Sequence, residues 1–284
     1  PRSVEVLEGA GARVQGDRVR IPSWRVEDAI RKAPSRIVLG NRNGERSVFL
    51  EGDTSWFGPS LDCIDYLDPI TDERKRFTSE HCRITATLAD ALPNFSWSMI
   101  IGMADDQPPD IADRVIVRQA LTYCEKPLVF CCKDTNSERD IYEMALLICG
   151  GKDNFEKAPT IVQYSEPISP LEYYDPAVDK MIFTVENGIP LINFPAPQAS
   201  GSAPATFAGT IVDGSAESLS GLVLAQSVRP GAPFIYGAFS TIMDMKTSIF
   251  SYGAPEMRLM VGAMAQMAQH YVLPFFGTAG ATDS

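Results

Sequence analysis

The chain has 284 residues, 45% of them hydrophobic, and a formal net charge of −11. A chain of this length can bury one large core or two smaller ones. The excess of acid argues against a nucleic-acid partner, because neutralising phosphates requires clustered Lys and Arg. No apolar run reaches the roughly eighteen residues that cross a bilayer, and the first residues lack a signal-peptide pattern. We therefore expect a cytoplasmic protein that does not bind membranes.

The first fifty residues predict an N-terminal extension made of one helix and one hairpin. Ser23 is a candidate N-cap for a helix over 23–33, whose apolar positions fall on one side. Two short apolar runs, 36–39 and 46–50, flank a turn-rich segment and predict a β-hairpin. Residues 51–284 would then form the catalytic domain.

A repeat dominates the rest of the chain, because a proline stands directly before a short apolar run six times. Successive prolines are 31 to 43 residues apart, which is room for a strand, a helix and two loops. A proline tolerates the first position of a strand but does not extend a helix, so each one marks a helix-to-strand turn. These residues are Pro93, Pro127, Pro159, Pro190, Pro233 and Pro274.

The repeat predicts an α/β fold of the TIM (β/α)8 barrel type, in which apolar strands are buried on both faces. A first strand over 54–58 makes seven, and an eighth would lie beyond residue 284, so we expect the C-terminal part of the barrel to be missing. An open doubly wound sheet is the alternative, although it usually carries a glycine-rich nucleotide loop, and none occurs. The other predicted strands are 94–101, 127–132, 159–164, 190–195, 233–237 and 273–276. The predicted helices are 78–92, 109–124, 137–149, 175–187, 204–228 and 254–271.

In such a barrel the active face is built from strand carboxyl ends, and here these ends are rich in aromatic residues. Ring faces attract quaternary ammonium groups, so the pattern favours a cationic, poorly solvated ligand. The alternative is that the rings close the top layer of the core. The five candidate substrate-binding rings are Phe57, Tyr164, Phe194, Tyr236 and Phe276.

Glu166 is the leading candidate for a catalytic acid, because it follows a strand and precedes a proline-bounded turn. It could bind an ammonium group or move a proton; equally, it could cap the next loop. Gln198 is a further substrate-binding candidate, and Asn193 and Asp283 are weaker ones.

Metal and nucleophilic chemistry have little support in the sequence, and we expect no metal site. His81 stands in the first turn of a helix that begins with a capping box at Thr78, and His270 closes a later helix. The six cysteines have no C-x-x-C spacing, and we interpret them as reduced and mostly buried thiols. Lys133 is the one candidate for a Schiff-base lysine at a strand end.

Four segments together resemble the trimethylamine methyltransferase (MttB-like) superfamily, and the resemblance extends over nearly the whole chain. They are Trp56-Phe-Gly-Pro-Ser, Tyr66-Leu-Asp-Pro, Ala89-Asp-Ala-Leu-Pro-Asn and Phe276-Gly-Thr-Ala-Gly-Ala-Thr-Asp. The resemblance implies a TIM-barrel enzyme that passes a methyl group from a methylamine or quaternary amine to the cobalt of a separate corrinoid protein. The corrinoid (cobalamin) would be carried by that partner, with no cofactor bound directly.

The aromatic strand ends favour the branch of the superfamily that lacks pyrrolysine and demethylates betaines such as glycine betaine. In this hypothesis the five rings form a cage, and Glu166 and Gln198 orient the substrate. Three alternatives stay open: a zinc-thiolate methyltransferase, a Schiff-base aldolase and a non-catalytic betaine-binding protein. The apolar helix face from Met257 to Met267 is either core or the interface of a homo-oligomer.

Overall fold

A computed structural model describes residues 2–60 and 63–280. Contacts divide the chain into two compact units. The terminal unit contains residues 1–37 and 164–284, and the middle unit contains residues 38–163.

Helices and strands alternate along most of the chain. The helices are α1 (Arg2–Gly9), α2 (Ser23–Lys32), α3 (Ser79–Ala91), α4 (Ala112–Tyr123), α5 (Thr135–Cys149), α6 (Lys152–Lys157), α7 (Asp175–Glu186), α8 (Phe207–Val228) and α9 (Pro255–Tyr271). The strands are β1 (Arg13–Gln15), β2 (Arg18–Arg20), β3 (Ile37–Gly40), β4 (Arg46–Leu50), β5 (Asp65–Leu67), β6 (Arg74–Arg76), β7 (Ser98–Met99), β8 (Leu128–Phe130), β9 (Ile161–Ser165), β10 (Leu191–Asn193), β11 (Gln198–Ala199), β12 (Phe234–Ala238), β13 (Thr241–Ile242) and β14 (Phe275–Gly277).

The strands that follow the six prolines pair in parallel. In the middle unit β7 pairs with β8 and β8 with β9, and in the terminal unit β10 pairs with β12 and β12 with β14. The last residues of β9 belong to the terminal unit, where the Ser165 carbonyl accepts a hydrogen bond from Phe194 N at 2.8 Å. The parallel pairs confirm an α/β fold, and closure into a full barrel stays a prediction.

The strand predicted over 54–58 was wrong, because these residues form no strand in the structure. Side chains hold this segment instead of a ladder: Trp56 Nε1 donates to the Phe49 carbonyl at 2.9 Å. Gly58 lies so close to the Trp97 ring that a Cβ would be 2.4 Å from it. The strand predicted over 94–101 is reduced to β7, because the chain is still turning where Phe95 N donates to the Leu92 carbonyl.

The helices agree with the sequence pattern to within a few residues. Helix α3 begins with the expected capping box, in which His81 Nδ1 accepts from Thr78 N at 3.1 Å. Helix α4 starts three residues later than predicted, since Ile111 N and Ala112 N both donate to the Pro108 carbonyl and form a turn. In the described residues no helix is long and apolar enough to cross a membrane.

The predicted hairpin of residues 36–50 is confirmed as β3–β4, but helix α1 and the hairpin β1–β2 were missed. Residues of α1 and α2, including Val6, Val26 and Ala29, pack against the core of the terminal unit. This packing explains why residues 1–37 group with 164–284. A domain boundary after residue 50 stays a prediction.

The core of the terminal unit lies between its parallel strands and helices α7, α8 and α9. Leu222 and Val223 of α8 are buried against Phe234 of β12, together with Met264 of α9. The apolar face of α9 belongs to this core: Met257, Met260 and Met264 are buried, and Met267 packs beside them. Of the two alternatives for this helix face, the structure therefore supports the core.

We expect Gly237→Ala to destabilise the protein. A Cβ at Gly237 would be 2.4 Å from the Asn193 carbonyl oxygen and 2.8 Å from Phe194 Cα, so backbone atoms would have to move. Overpacking of this kind costs about 1–3 kcal/mol in the free energy of unfolding. Urea denaturation followed by circular dichroism measures the change.

Gly262→Ala is the matched control, because Gly262 lies inside α9 and a Cβ there would have no atom within 4 Å. Alanine at a helix position with free space should raise the free energy of unfolding by about 0.5–1 kcal/mol. A Gly237→Ala protein as stable as the wild type would contradict the close approach of β10 and β12.

Candidate active site

Aromatic side chains meet near the carboxyl ends of the parallel strands in the terminal unit. Phe194 lies at the centre: its ring centroid is 5.3 Å from that of Tyr164, 5.3 Å from Phe276 and 5.4 Å from Phe239. Carboxyl ends of neighbouring parallel strands share one edge of a sheet, which explains why residues so distant in sequence meet. We call these four residues the aromatic cluster. Phe239 extends it to two further rings, Phe250 and Tyr252.

Gly237 has no Cβ, and this leaves room for the Phe194 ring of the aromatic cluster. Gly237 lies opposite Phe276 in the register of β12 and β14, and its Cα faces the Phe194 ring. A Cβ at this position would be 2.8 Å from Phe194 Cδ2. A glycine inside a strand costs stability, so its presence here is consistent with a ring that must approach the backbone closely.

A carboxylate stands beside the aromatic cluster. Tyr164, only 7% exposed, donates a hydrogen bond from its hydroxyl to Glu166 Oε1 at 3.2 Å. Glu166 itself is exposed, so its carboxylate lies at the solvent side of the rings. Ring faces and a carboxylate together make a site that favours a cation.

The loop that carries Glu166 is held by Glu217, a buried residue of α8. Ser169 Oγ donates to Glu217 Oε2 at 2.8 Å, and Leu171 N donates to Oε1 at 2.7 Å. Leu171 adopts a φ of 58°, a conformation that a side chain rarely takes unless its surroundings fix it. Burial raises the pKa of Glu217. The carboxylate therefore fixes the backbone three to five residues beyond Glu166.

Sequence reasoning missed Glu217, although the sequence contains a signal for it. Asp213 and Glu217 are the charged residues of an otherwise apolar and small-residue helix, α8, and they are four residues apart. One turn of helix separates such residues, so they share a face. Burial raises the pKa of Asp213 too.

Tyr236 does not join the aromatic cluster. It is fully buried, its hydroxyl donates to Ser215 Oγ at 2.8 Å, and its ring neighbours are Tyr271 and Phe275. Side chains alternate between the two faces of a strand, and Tyr236 precedes Gly237, so it points towards the helices. Burial raises the pKa of Tyr236 far above its ordinary value.

Three further candidates lie within the described residues. Phe57 belongs to the middle unit, where its side chain is 58% exposed. Gln198 lies half-buried in β11, opposite Thr241 of β13, and its backbone N donates to Ser202 Oγ. Asn193 is buried and donates from Nδ2 to Tyr173 Oη at 2.8 Å. Asp283 lies outside the described residues.

Residues with nucleophilic or metal-binding chemistry are engaged elsewhere. None of the six cysteines forms a disulfide and four of them are buried, as expected. Lys133 Nζ is 2.5 Å from Asp110 Oδ1, and this hydrogen bond raises the pKa of the lysine, whereas a Schiff-base lysine needs a lowered one. Over residues 2–60 and 63–280, no group of three or more His, Cys, Asp or Glu could hold a metal ion.

Comparisons with known proteins match the whole chain. The family described as Trimethylamine methyltransferase (MTTB) matches residues 1–284. The chain is 30% identical to a glycine betaine methyltransferase of Desulfitobacterium hafniense (strain Y51), covering 99% of this chain and 59% of that protein. It is 29% identical to a trimethylamine methyltransferase MttB of Desulfitobacterium hafniense (strain DSM 10664 / DCB-2), covering 99% of this chain and 57% of that protein.

A further relative is the proline betaine:corrinoid methyltransferase of Eubacterium limosum, with 25% identity over 99% of this chain and 59% of that protein. The chain thus spans less than two thirds of the length of these curated relatives. Among solved structures, a phospho-2-dehydro-3-deoxyheptonate aldolase from Thermotoga maritima gives a TM-score of 0.34 at 10% identity, covering 70% of this chain and 51% of that one. A superposition of this quality does not bear on the fold.

We expect the stability difference between the wild type and Glu217→Gln to depend on pH. The pKa of Glu217 is raised by burial above its ordinary value of 4.5, so the unfolded chain ionises first as the pH rises. The wild type should therefore lose free energy of unfolding relative to the variant between that value and the raised native pKa.

Urea denaturation of both proteins at a series of pH values measures the difference. Asp213, whose pKa burial also raises, is present in both proteins and cancels to first order. A stability difference that stays constant across this range would contradict the buried, hydrogen-bonded placement of Glu217.

Proposed function

Because the chain belongs to the trimethylamine methyltransferase family, we propose that it transfers a methyl group from a quaternary amine to the cobalt of a separate corrinoid protein. A glycine betaine-like donor is favoured over a methylamine. The observation that carries the proposal is the aromatic cluster with the carboxylate of Glu166 beside it. The amine substrate and the corrinoid partner are both part of what we propose, because the chain spans only 59% of the length of the glycine betaine methyltransferase.

In the binding step the packed rings of Tyr164, Phe194 and Phe276 form one wall of the site, and the trimethylammonium group lies against it. Each contact between a cation and a ring face contributes about 0.5–1 kcal/mol at an exposed site and about 2 kcal/mol when water is excluded. The three rings lie 5.3 to 6.3 Å apart between centroids and are held by their strands, so little order has to be created on binding.

Glu166 completes the recognition of positive charge. Its Oε1 accepts from the Tyr164 hydroxyl, which orients the carboxylate towards the ring that would contact the substrate. The buried Glu217 fixes the loop behind it through Ser169 and Leu171. Gln198, which is half-buried in β11, would orient the other end of a betaine by donating from its amide to the substrate carboxylate.

The transfer step requires no nucleophile from the protein. A methyl group on a quaternary nitrogen is electrophilic, and the C–N bond breaks with its electron pair remaining on nitrogen. Reduced cobalt, Co(I), supplies the pair that forms the new cobalt–carbon bond, so methyl-Co(III) and a tertiary amine are produced. The protein contributes by removing water from the cation and aiming one methyl group outwards.

The experiment mixes the purified protein with its reduced corrinoid protein and a panel of quaternary amines and methylamines, and records the cobalt absorption spectrum. We expect a betaine to convert Co(I) into methyl-Co(III). No conversion with any donor would overturn the proposal. Calorimetric binding of a betaine without methyl transfer would instead favour the non-catalytic betaine-binding alternative.

Two neighbouring phenylalanines provide a matched test of the aromatic cage. Phe276 contacts Tyr164 and Phe194, whereas Phe275 points to the other face of β14, towards Tyr236. Replacing Phe276 by Leu should weaken glycine betaine binding about tenfold, equivalent to one lost cation–π contact of about 1.4 kcal/mol.

Phe275→Leu should leave the dissociation constant unchanged, because it keeps a comparable apolar volume on the helix-facing side. Isothermal titration calorimetry on both variants measures the two constants. If the two substitutions weakened glycine betaine binding equally, the loss would come from general packing and not from a contact between the cation and the Phe276 ring.

A further inference from the structure

A second candidate binding site lies in the middle unit, away from the strand carboxyl ends. It is a cleft of about 510 Å³ between the β3–β4 turn and the junction of α5 with α6. Sites for small molecules have volumes of about 300–1,000 Å³. The polar lining of the cleft consists of Arg42, Asn43, Arg46, Asn154 and Lys157.

The charge of the cleft is opposite to that of the protein. The chain carries a net charge of −11, yet the lining contains three cationic side chains and no carboxylate. Arg42 is compensated, since its guanidinium donates to Glu125 Oε1 at 3.2 Å and to the Thr122 carbonyl at 2.6 Å. Glu125 uses its other oxygen to accept from Asn43 Nδ2 at 2.9 Å.

Arg46 and Lys157 are the cations that the cleft leaves uncompensated. Throughout the part of the chain that the structure describes, neither has a carboxylate within ion-pair distance. The neighbouring acids are engaged elsewhere: Glu45 accepts from Asn41 Nδ2 at 3.0 Å, and Glu156 lies 3.9 Å from Lys152 Nζ. Two uncompensated cations facing one cleft repel each other, so an anion between them is stabilised.

The walls of the cleft are fixed before any ligand binds. Gly40 N donates to the Pro159 carbonyl at 2.9 Å, and a Cβ at Gly40 would be 2.6 Å from the Ala158 carbonyl oxygen. Helix α6 is anchored by Phe155, which is fully buried and has its ring centroid 5.3 Å from that of Tyr142. Asn154 Nδ2 donates to the Cys149 carbonyl at 3.0 Å and closes the turn between α5 and α6.

We propose that this cleft binds a small molecule carrying a phosphate or several carboxylates. The guanidinium fork of Arg46 suits two oxygens of one anionic group, and the ammonium of Lys157 supplies a point charge for a second. The proposal does not rest on the proposed methyl transfer, since every lining residue belongs to the middle unit and precedes β9 in the chain.

The test titrates inorganic pyrophosphate and, separately, citrate into the protein by isothermal titration calorimetry at constant ionic strength. We expect a dissociation constant near or below about 1 mM for at least one of them. Binding of pyrophosphate alone assigns the site to phosphates, and binding of citrate alone assigns it to polycarboxylates. No heat with either probe up to about 10 mM overturns the proposal.

The double variant Arg46→Gln, Lys157→Gln should weaken binding at least about tenfold, as expected when the charge-assisted hydrogen bonds are removed. Lys152→Gln is the control: it removes one positive charge from the same helix, but Lys152 does not line the cleft. Thermal melts confirm that both variants are folded, which is expected because all three side chains are exposed. Equal affinities in the double variant and the wild type, or equal losses in the double variant and the control, overturn the proposal.

Discussion

The close approach of helix α8 to strand β10 is the constraint on which the terminal unit depends. A Cβ at Gly221 would be 2.5 Å from Asn193 Nδ2, so a larger residue at that position would displace the Asn193 side chain or the helix. At this distance Asn193 Nδ2 donates to the backbone carbonyl of Glu217. The side-chain carboxylate of the same Glu217 accepts from Leu171 N in the loop after β9. The packing of the core and the position of Glu166 are thus two results of one contact.

The two faces of the parallel strands have different roles in this unit. On one face Tyr236 and Asn193 bond to groups of helix α8 and are buried. On the other face Tyr164, Phe194 and Phe276 meet one another and leave Glu166 exposed beside them. Because the period of a strand is two residues, a shift of one position decides whether a ring stabilises the core or faces a ligand. The cationic substrate proposed for this chain concerns the second face.

Much of the fold could be predicted from sequence because its signals are local. A proline before an apolar run marks the approach to a strand: β8, β9, β10, β12 and β14 begin one or two residues after theirs, whereas β7 begins five residues after Pro93. The capping box at Thr78 was equally local. The segment 54–58 misled because its apolar residues resemble a strand, whereas two contacts decide its conformation: the hydrogen bond from Trp56 to Phe49, and the packing of Gly58 on Trp97, which is distant in sequence.

The candidate site was predicted less completely, for reasons of geometry. Position at a strand end correctly selected Tyr164, Phe194 and Phe276 as neighbours. Which face of β12 carries the Tyr236 side chain could be decided only once the register of β12 was known. Phe239 stands at the same strand end as Tyr236 but was not among the candidate rings, and its stacking on Phe194 depends on the turn into β13. Glu217 lies on a helix, so a search confined to strand ends could not select it.

The loop after β9 separates anchoring from recognition. Ser169 and Leu171 are bound by Glu217, whereas Glu166 precedes them and has its carboxylate at the surface. A substitution at position 166 can therefore change the charge offered to a ligand while the backbone keeps its path. In an evolving lineage, this division would let the preference for the proposed cationic ligand diverge one residue at a time, without a compensating change in the scaffold.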